Sequence, residues 1–94
     1  MAIQLGSIVS RNNSFPFQRI KDETVIVNPR TRQMHHLNEL GADIWEILSE
    51  PHTINGIINR IIEEYEVDNA TVQKDVMSFV QEMMSHNLIT LHTK

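Results

Sequence analysis

The hydrophobic pattern of this chain changes its period at Asn38, and this change limits its possible folds more than any other feature. Before Asn38 the apolar residues favour β-strands, and residues 24–27 (TVIV) form the clearest β-branched run. After Asn38 the apolar residues recur every three or four positions, which is the spacing of one helix face. The sequence therefore predicts strands followed by helices.

Two strands are predicted to form a hairpin. Residues 24–27 and 33–37 flank the turn Asn28-Pro29-Arg30-Thr31, where asparagine suits the first position and proline presets φ at the second. Residues 7–11 are a third candidate strand. The segment Phe15-Pro16-Phe17 interrupts this strand, because proline cannot donate a hydrogen bond to a sheet.

Two amphipathic helices are predicted to follow the hairpin. Asn38 is a suitable N-cap for the first helix, and Pro51 ends it because the residue before a proline is disfavoured in the α region. Thr53 can cap the second helix. The apolar stripe of the second helix consists of Ile54, Ile57, Ile58, Ile61, Ile62 and Tyr65. We expect Trp45 and Ile58 to be core residues.

A third helix is predicted to begin at Asp68 or Asn69 and to stop near Asn87. Its apolar face consists of Val72, Val76, Phe79, Val80 and Met83. Residues 88–92 (LITLH) are predicted to form a short final strand or an extended tail. The predicted fold class is α+β: a small antiparallel sheet of two or three strands, then a three-helix bundle.

Length and composition fit one small domain spanning residues 1–94. A domain of this size buries roughly 60–65% of the surface of its unfolded chain, which leaves little room for a deep active site. The chain contains no cysteine, which excludes disulfides and thiolate ligands. We see no signal peptide and no run of apolar residues long enough to span a membrane, so we expect a cytoplasmic protein without a membrane partner.

The sequence contains no recognisable catalytic motif, and we expect neither an enzyme nor a cofactor. The five histidines are scattered, and the adjacent His35 and His36 point to opposite faces of a strand, so no metal site is predicted. The three glycines are too far apart to form a phosphate-binding loop. No G-x-S-x-G segment supports a nucleophilic serine.

Charge separates two binding functions. Three helices with a small sheet also outline a winged helix, so a DNA-binding transcriptional regulator is the alternative hypothesis. The third helix, however, carries Lys74 against Asp75 and Glu82 and has no arginine. Residues 1–37 have a charge balance of +3 and residues 38–94 one of −7. Such a balance opposes phosphate contacts, so we expect no nucleic-acid partner.

A peptide ligand fits the predicted elements better. An exposed strand edge can accept an extended peptide as an additional strand. The strand 33–37 covers about 13 Å. The third helix covers about 12 Å from Asp75 to Met83. The strand and the helix therefore have matching lengths for the two walls of a groove.

Three stretches of the sequence resemble the PqqD family, named for coenzyme PQQ synthesis protein D. They are MHHLNELGADIWEIL, PHTINGIINRIIEEYEVD and VQKDVMSFVQEMMSHNLI, and the resemblance covers roughly residues 7–91. The matching positions are Asn28-Pro29, Leu37-Asn38, Gly41, Ile44-Trp45, Thr53, Asp75 and Phe79. The chain departs from the pattern at Arg32, where a turn glycine is common, and at Gly56, where an acidic residue often completes the helix cap.

The resemblance implies a winged-helix-like fold that recognises the leader of a ribosomally made precursor peptide. It also implies a partner that modifies the peptide, such as a radical SAM enzyme or a leader protease. The pathway stays open between PQQ synthesis, lasso-peptide maturation and radical-enzyme modification. The implied leader lies beside the third predicted strand, residues 33–37, and against the third helix. Part of the apolar stripe of that helix must nevertheless be core. The implied peptide-binding residues are Gln33, Met34, His35, His36, Leu37, Asp75, Val76, Phe79, Val80 and Met83.

Overall fold

The computed structural model describes residues 3–92, and its elements follow the predicted order from strands to helices. The two residues at each end of the predicted domain lie outside this range. The elements are β1 (Ile8–Arg11), β2 (Phe17–Ile20), β3 (Glu23–Val27), β4 (Met34–Leu37), α1 (Glu39–Ile47), β5 (His52–Thr53), α2 (Ile54–Glu64), α3 (Asn69–Ser85) and β6 (Ile89–His92).

The strands form two antiparallel sheets of three strands each, whereas the sequence suggested one small sheet. One sheet has the order β5-β1-β6 and the other β2-β3-β4. The final segment is a true strand, because β6 pairs with β1 along its whole length from Ile8↔His92 to Arg11↔Ile89. β2 was not predicted. All four of its side chains are exposed, and it is a strand because it pairs with β3.

The predicted hairpin joins β3 to β4. The Asn28 side chain accepts hydrogen bonds from the backbone N–H groups of Arg30 and Thr31, and the Asn28 N–H donates to the Gln33 carbonyl at 2.8 Å. Arg32 adopts φ 64°, in the left-handed region that glycine occupies most easily. A glycine at this position would adopt the same conformation without the steric cost that Arg32 meets.

The three helices begin at the predicted caps. The side chains of Asn38, Thr53 and Asp68 each accept a hydrogen bond from the N–H three residues later. Each bond satisfies one of the backbone donors that a helix N-terminus leaves free. The predicted stop near Asn87 is also confirmed, since α3 ends at Ser85 and Asn87, with φ 63°, follows its C-cap residue His86.

One core joins both sheets and all three helices. Its buried side chains include Val9 of β1, Ile26 of β3, Ile58 of α2 and Leu88 before β6. Trp45 of α1 is fully buried and Ile58 is 2% exposed, so both core predictions are confirmed. α1 packs against β3 and β4, while α3 packs against α2 and β6. This arrangement leaves β4 as an outer strand that faces α3.

Candidate functional site

Within residues 3–92, no strand pairs with the outer edge of β4. Among these residues β4 pairs with β3 alone, so one side of its backbone is available for hydrogen bonding. Such an edge can template pairing with another extended chain unless it is protected. β4 runs directly into α1 through the cap residue Asn38, so the free edge ends where α1 begins.

The register shows which backbone groups of β4 face this free edge. The Val27 N–H donates to the Pro16 carbonyl on the β2 side, at 2.9 Å. Val27 is the register partner of Met34, so Met34 receives no ladder bond from it. Because ladder bonding alternates along a strand, His36 also directs its N–H and C=O to the free edge. The intervening His35 bonds to β3.

A groove lies between this free edge and α3. Its proximal section has a volume of about 420 Å³. The residues that line it are Met34, His35, His36, Leu37, Asn38, Phe79, Glu82 and Met83. The section is therefore bounded by β4 on one side and by the C-terminal half of α3 on the other.

A middle section continues the groove past the end of β4. It measures about 390 Å³ and shares Asn38, Phe79 and Glu82 with the proximal section. Its residues are Asn38, Leu40, Gly41, Ile44, Asp75, Ser78, Phe79 and Glu82. The N-terminal turn of α1 thus replaces β4 as the wall opposite α3.

A third cavity of about 320 Å³, here called the distal pocket, lies beside the N-terminal turns of α3. It shares Leu40 and Asp75 with the middle section. Its residues are Glu39, Leu40, Ile61, Tyr65, Val67, Thr71, Val72 and Asp75. The three sections therefore follow one another along a single stripe of α3, from Met83 back to Thr71.

Glycine at position 41 allows α1 and α3 to approach closely in the middle section. A Cβ at Gly41 would lie 3.0 Å from Cε1 of Phe79 and 3.3 Å from Cβ of Leu37. Any larger residue would have to displace the Phe79 ring, which is only partly buried. The absence of a side chain at Gly41 therefore sets the shape of the groove at its centre.

Two histidines face each other at the proximal end. The rings of His35 and His86 are 4.9 Å apart between centroids. Burial lowers the pKa of His35, and the nearby His86 lowers it further, while the Glu82 carboxylate acts in the opposite direction. His35 is therefore held more strongly in its neutral form than an exposed histidine.

Tyr65 forms one wall of the distal pocket and is fixed by carboxylates. Its hydroxyl donates to Asp43 and lies 3.4 Å from Oε1 of Glu39. The hydrogen bond to Asp43 raises the pKa of Tyr65, so the phenol stays protonated. Asp43 also pairs with Arg19 of β2 at 3.0 Å, which links this wall to the sheet.

The structure brings the predicted strand and helix together but divides the predicted helix residues. Val76 and Val80 are fully buried in the core and have no surface to offer a ligand. Met83 reaches the groove although only 4% of it is exposed. Asp75 and Phe79 line the middle section. These positions agree with the expectation that part of the helix stripe is core.

The remaining predicted strand residues differ in how they meet the groove. Leu37 is buried towards the core, whereas Met34 and His36 are exposed. Gln33 is exposed just before β4 and does not line the groove. Sequence reasoning did not identify Asn38, Gly41, Ser78 and Glu82 as lining residues. A helical wheel of α3 places Ser78 and Glu82 beside Asp75 and Phe79, and this was the available signal.

The groove is acidic along most of its length. Glu82, Asp75 and Glu39 line it in succession from the proximal section to the distal pocket. Arg30 and Arg32 are exposed on the hairpin turn and line none of the three sections. The lining charges that a ligand meets in the three sections are therefore these carboxylates.

Within residues 3–92, no group of three or more His, Asp or Glu side chains is placed to hold a metal ion. In the same range, no helix has both the length and the apolar character needed to cross a membrane.

Comparison with known proteins gives one family and two similar structures. The family described as coenzyme PQQ synthesis protein D (PqqD) matches residues 23–89. No curated protein matches the sequence significantly. Both the hairpin and the groove-forming helices fall within the matched range.

One similar solved structure is TbiB1 in complex with the TbiA(beta) leader peptide. It is 26% identical, has a TM-score of 0.79, and the match covers 90% of this chain and 99% of that one. The other is the solution NMR structure of the PqqD truncation of Methylobacterium extorquens PqqCD, described as a functional, stand-alone recognition element for ribosomally synthesised and post-translationally modified peptides. It is 11% identical, with a TM-score of 0.77 and 95% coverage of both chains.

Proposed function

The chain belongs to the PqqD family, and from this premise we propose that it binds the leader of a ribosomally synthesised precursor peptide and presents it to a modifying enzyme. The leader adds as a strand to the free edge of β4 and lies in the groove against α3. Backbone hydrogen bonds supply affinity that is independent of sequence, and the side chains of the groove supply selectivity.

The observation that carries this proposal is the coincidence of a free strand edge with a groove. The backbone groups of Met34 and His36 point to an edge that no strand from the described residues occupies. A groove of about 420 Å³ lies directly beside that edge and is closed on its far side by α3. The TbiB1 structure, whose fold is similar, is a complex with a leader peptide, which supports the same class of ligand here.

The protein contributes recognition, and we assign the chemistry to a partner. A radical SAM enzyme or a leader protease is the kind of enzyme that acts on such a peptide. A leader held as an added strand leaves the rest of the precursor free to reach that enzyme. We place this activity in the cytoplasm, where ribosomally made precursors become available.

Backbone NMR of the isotopically labelled full chain tests the proposal. The probes are the TbiA(beta) leader peptide and peptides selected against the chain from a displayed random library. We expect the largest shift changes at residues 34–37 and 75–83. Shifts confined to α2 or the N-terminal segment would contradict the site, and the absence of any binding peptide would contradict the function. Tight, sequence-selective binding of duplex DNA would favour a transcriptional regulator instead.

A further inference from the structure

We propose that the distal pocket is a second anchor for the leader, which takes one apolar side chain next to a basic residue. This inference rests on the proposed function. It adds a requirement on the ligand that strand pairing alone does not impose. The bound segment must extend past the end of β4 and reach the N-terminal turns of α3.

The first argument is continuity. The middle section shares residues with the proximal section at one end and with the distal pocket at the other. An extended chain that leaves β4 at Leu37 meets Asn38 and then Leu40 along the same channel. From Phe79 to Thr71, α3 covers about 12 Å. An extended peptide crosses that distance in about four residues.

The second argument is the chemistry of the pocket. Leu40, Ile61, Val67 and Val72 give it apolar walls, and Val67 is 46% exposed. An exposed valine beside a cavity leaves apolar surface in contact with water, and a bound side chain would remove this surface from water. Tyr65 is fixed by hydrogen bonds, so the pocket exists before the ligand arrives.

The third argument is charge. Glu39 and Asp75 line the same pocket, and none of the lysines and arginines among residues 3–92 lines it. A basic side chain beside the apolar anchor would face both carboxylates, whereas an acidic one would be repelled. The groove therefore prefers a leader with a basic residue at its distal end.

The direction of the peptide follows from the pairing. Antiparallel pairs are more stable per residue than parallel ones. β4 runs from Met34 towards Leu37, so an antiparallel leader runs from the distal pocket towards Met34. The apolar and basic anchor then lies about four residues N-terminal to the part that pairs with β4.

Binding assays with two matched pairs of variants test the second anchor, using peptides selected from a displayed random library as probes. Val67→Asp introduces a charge into the pocket, and Ile20→Asp introduces the same charge at an exposed site on β2. Asp75→Lys reverses a charge in the groove, and Asp22→Lys makes the same reversal in the β2–β3 turn. All four sites are exposed, so we expect the melting temperatures to stay close to that of the wild type.

We expect Val67→Asp to weaken binding about tenfold or more, because a buried apolar contact is lost. Asp75→Lys should reduce binding and its salt dependence, while Ile20→Asp and Asp22→Lys should leave both unchanged. Removing the N-terminal residues of a bound peptide should weaken its binding by the same factor as Val67→Asp does. His36→Pro, which removes a backbone N–H at the free edge of β4, serves as the reference for strand pairing. Peptides whose binding falls with His36→Pro but not with Val67→Asp would overturn the second anchor and leave the proposed function intact. If no peptide binds, both fail together.

Discussion

The two faces of α3 differ in a way that the amino-acid pattern only partly reveals. One face is apolar and lies in the core, where Val76 and Val80 are fully buried. The neighbouring face lines the groove through Asp75, Phe79 and Glu82. The first face holds the domain together, and the second is available to a ligand. The groove is therefore lined mainly by residues that lie beside the buried part of the apolar stripe.

This comparison explains why Phe79 is the informative residue on the helix. It belongs to the apolar stripe by spacing but is only partly buried, and its ring lies against Gly41 at the centre of the groove. Val80 follows it directly in the sequence and is fully buried. Aromatic side chains that remain partly exposed often carry binding energy at interfaces. The boundary between core and groove thus runs between two adjacent residues.

The largest effect is expected on the core face. Val80→Asp places an unpaired charge in the core at a cost of several kcal/mol, against about 5–15 kcal/mol for a whole domain. We expect this variant to be largely unfolded already without denaturant, which a chemical denaturation curve would show as the loss of its folded baseline. Gln81→Asp, at the adjacent exposed position, should unfold at nearly the wild-type denaturant concentration. Equal stability of the two variants would contradict the assignment of the faces.

A smaller effect separates the two kinds of residue in β4. His36→Pro removes an N–H that faces the free edge, so the fold should persist while peptide binding falls. His35→Pro removes an N–H bonded to β3, and we expect a loss of about 1–3 kcal/mol in stability. Thermal melts of both variants measure the loss of stability, and peptide titrations measure the loss of binding. Met83 is a poorer site for such a test, because it is only 4% exposed and a charge there would disturb core and groove together.

Local signals were sufficient to predict most of the fold. The caps at Asn38, Thr53 and Asp68 and the turn at Asn28 depend on residues close in sequence, and all four predictions are confirmed. The pairing of β1 with β6 joins opposite ends of the chain, so no local pattern specifies it. β2 was missed for a related reason. Its exposed side chains show no buried face, and it forms because β3 offers an edge.

The candidate site was predicted in outline and not in detail. The sequence predicted that strand 33–37 and the third helix could form two walls of one groove, and residues of both elements line the same cavity. Which flank of the helix is exposed depends on how α3 packs against α2, and the sequence does not specify that angle. The contribution of Gly41 could not be predicted from the sequence either. It depends on the close approach of Phe79, which lies 38 positions away in the sequence.

A modest effect is expected at the turn that precedes β4. Arg32 adopts a positive φ that costs a non-glycine residue about 1 kcal/mol. Arg32→Gly should therefore raise the melting temperature slightly, although the greater freedom of glycine in the unfolded chain offsets part of the gain. Peptide binding should stay unchanged, since Arg32 does not line the groove. A clear loss of binding would show that the turn takes part in recognition.

The smallest effect is a pH dependence that belongs to the groove and not to the core. The pKa of His35 is lowered from 6.5 by burial and by His86, so the folded state takes up a proton less readily than the unfolded state. The contribution of His35 to the free energy of unfolding is therefore fully present above pH 6.5 and is lost as the pH falls below this value. Melting temperatures of the wild type and His35→Gln across this range should show a weaker acid loss in the variant. An identical pH dependence would exclude His35 as a cause.

Amide hydrogen exchange across β4, with and without a bound peptide, tests strand addition most directly. In the free protein we expect slow exchange at His35 and Leu37, whose N–H groups bond to β3, and fast exchange at Met34 and His36. Peptide binding should slow exchange at Met34 and His36 and leave the alternate pair unchanged. If a peptide binds but the N–H groups of Met34 and His36 still exchange as fast as in the free protein, strand addition at β4 is wrong.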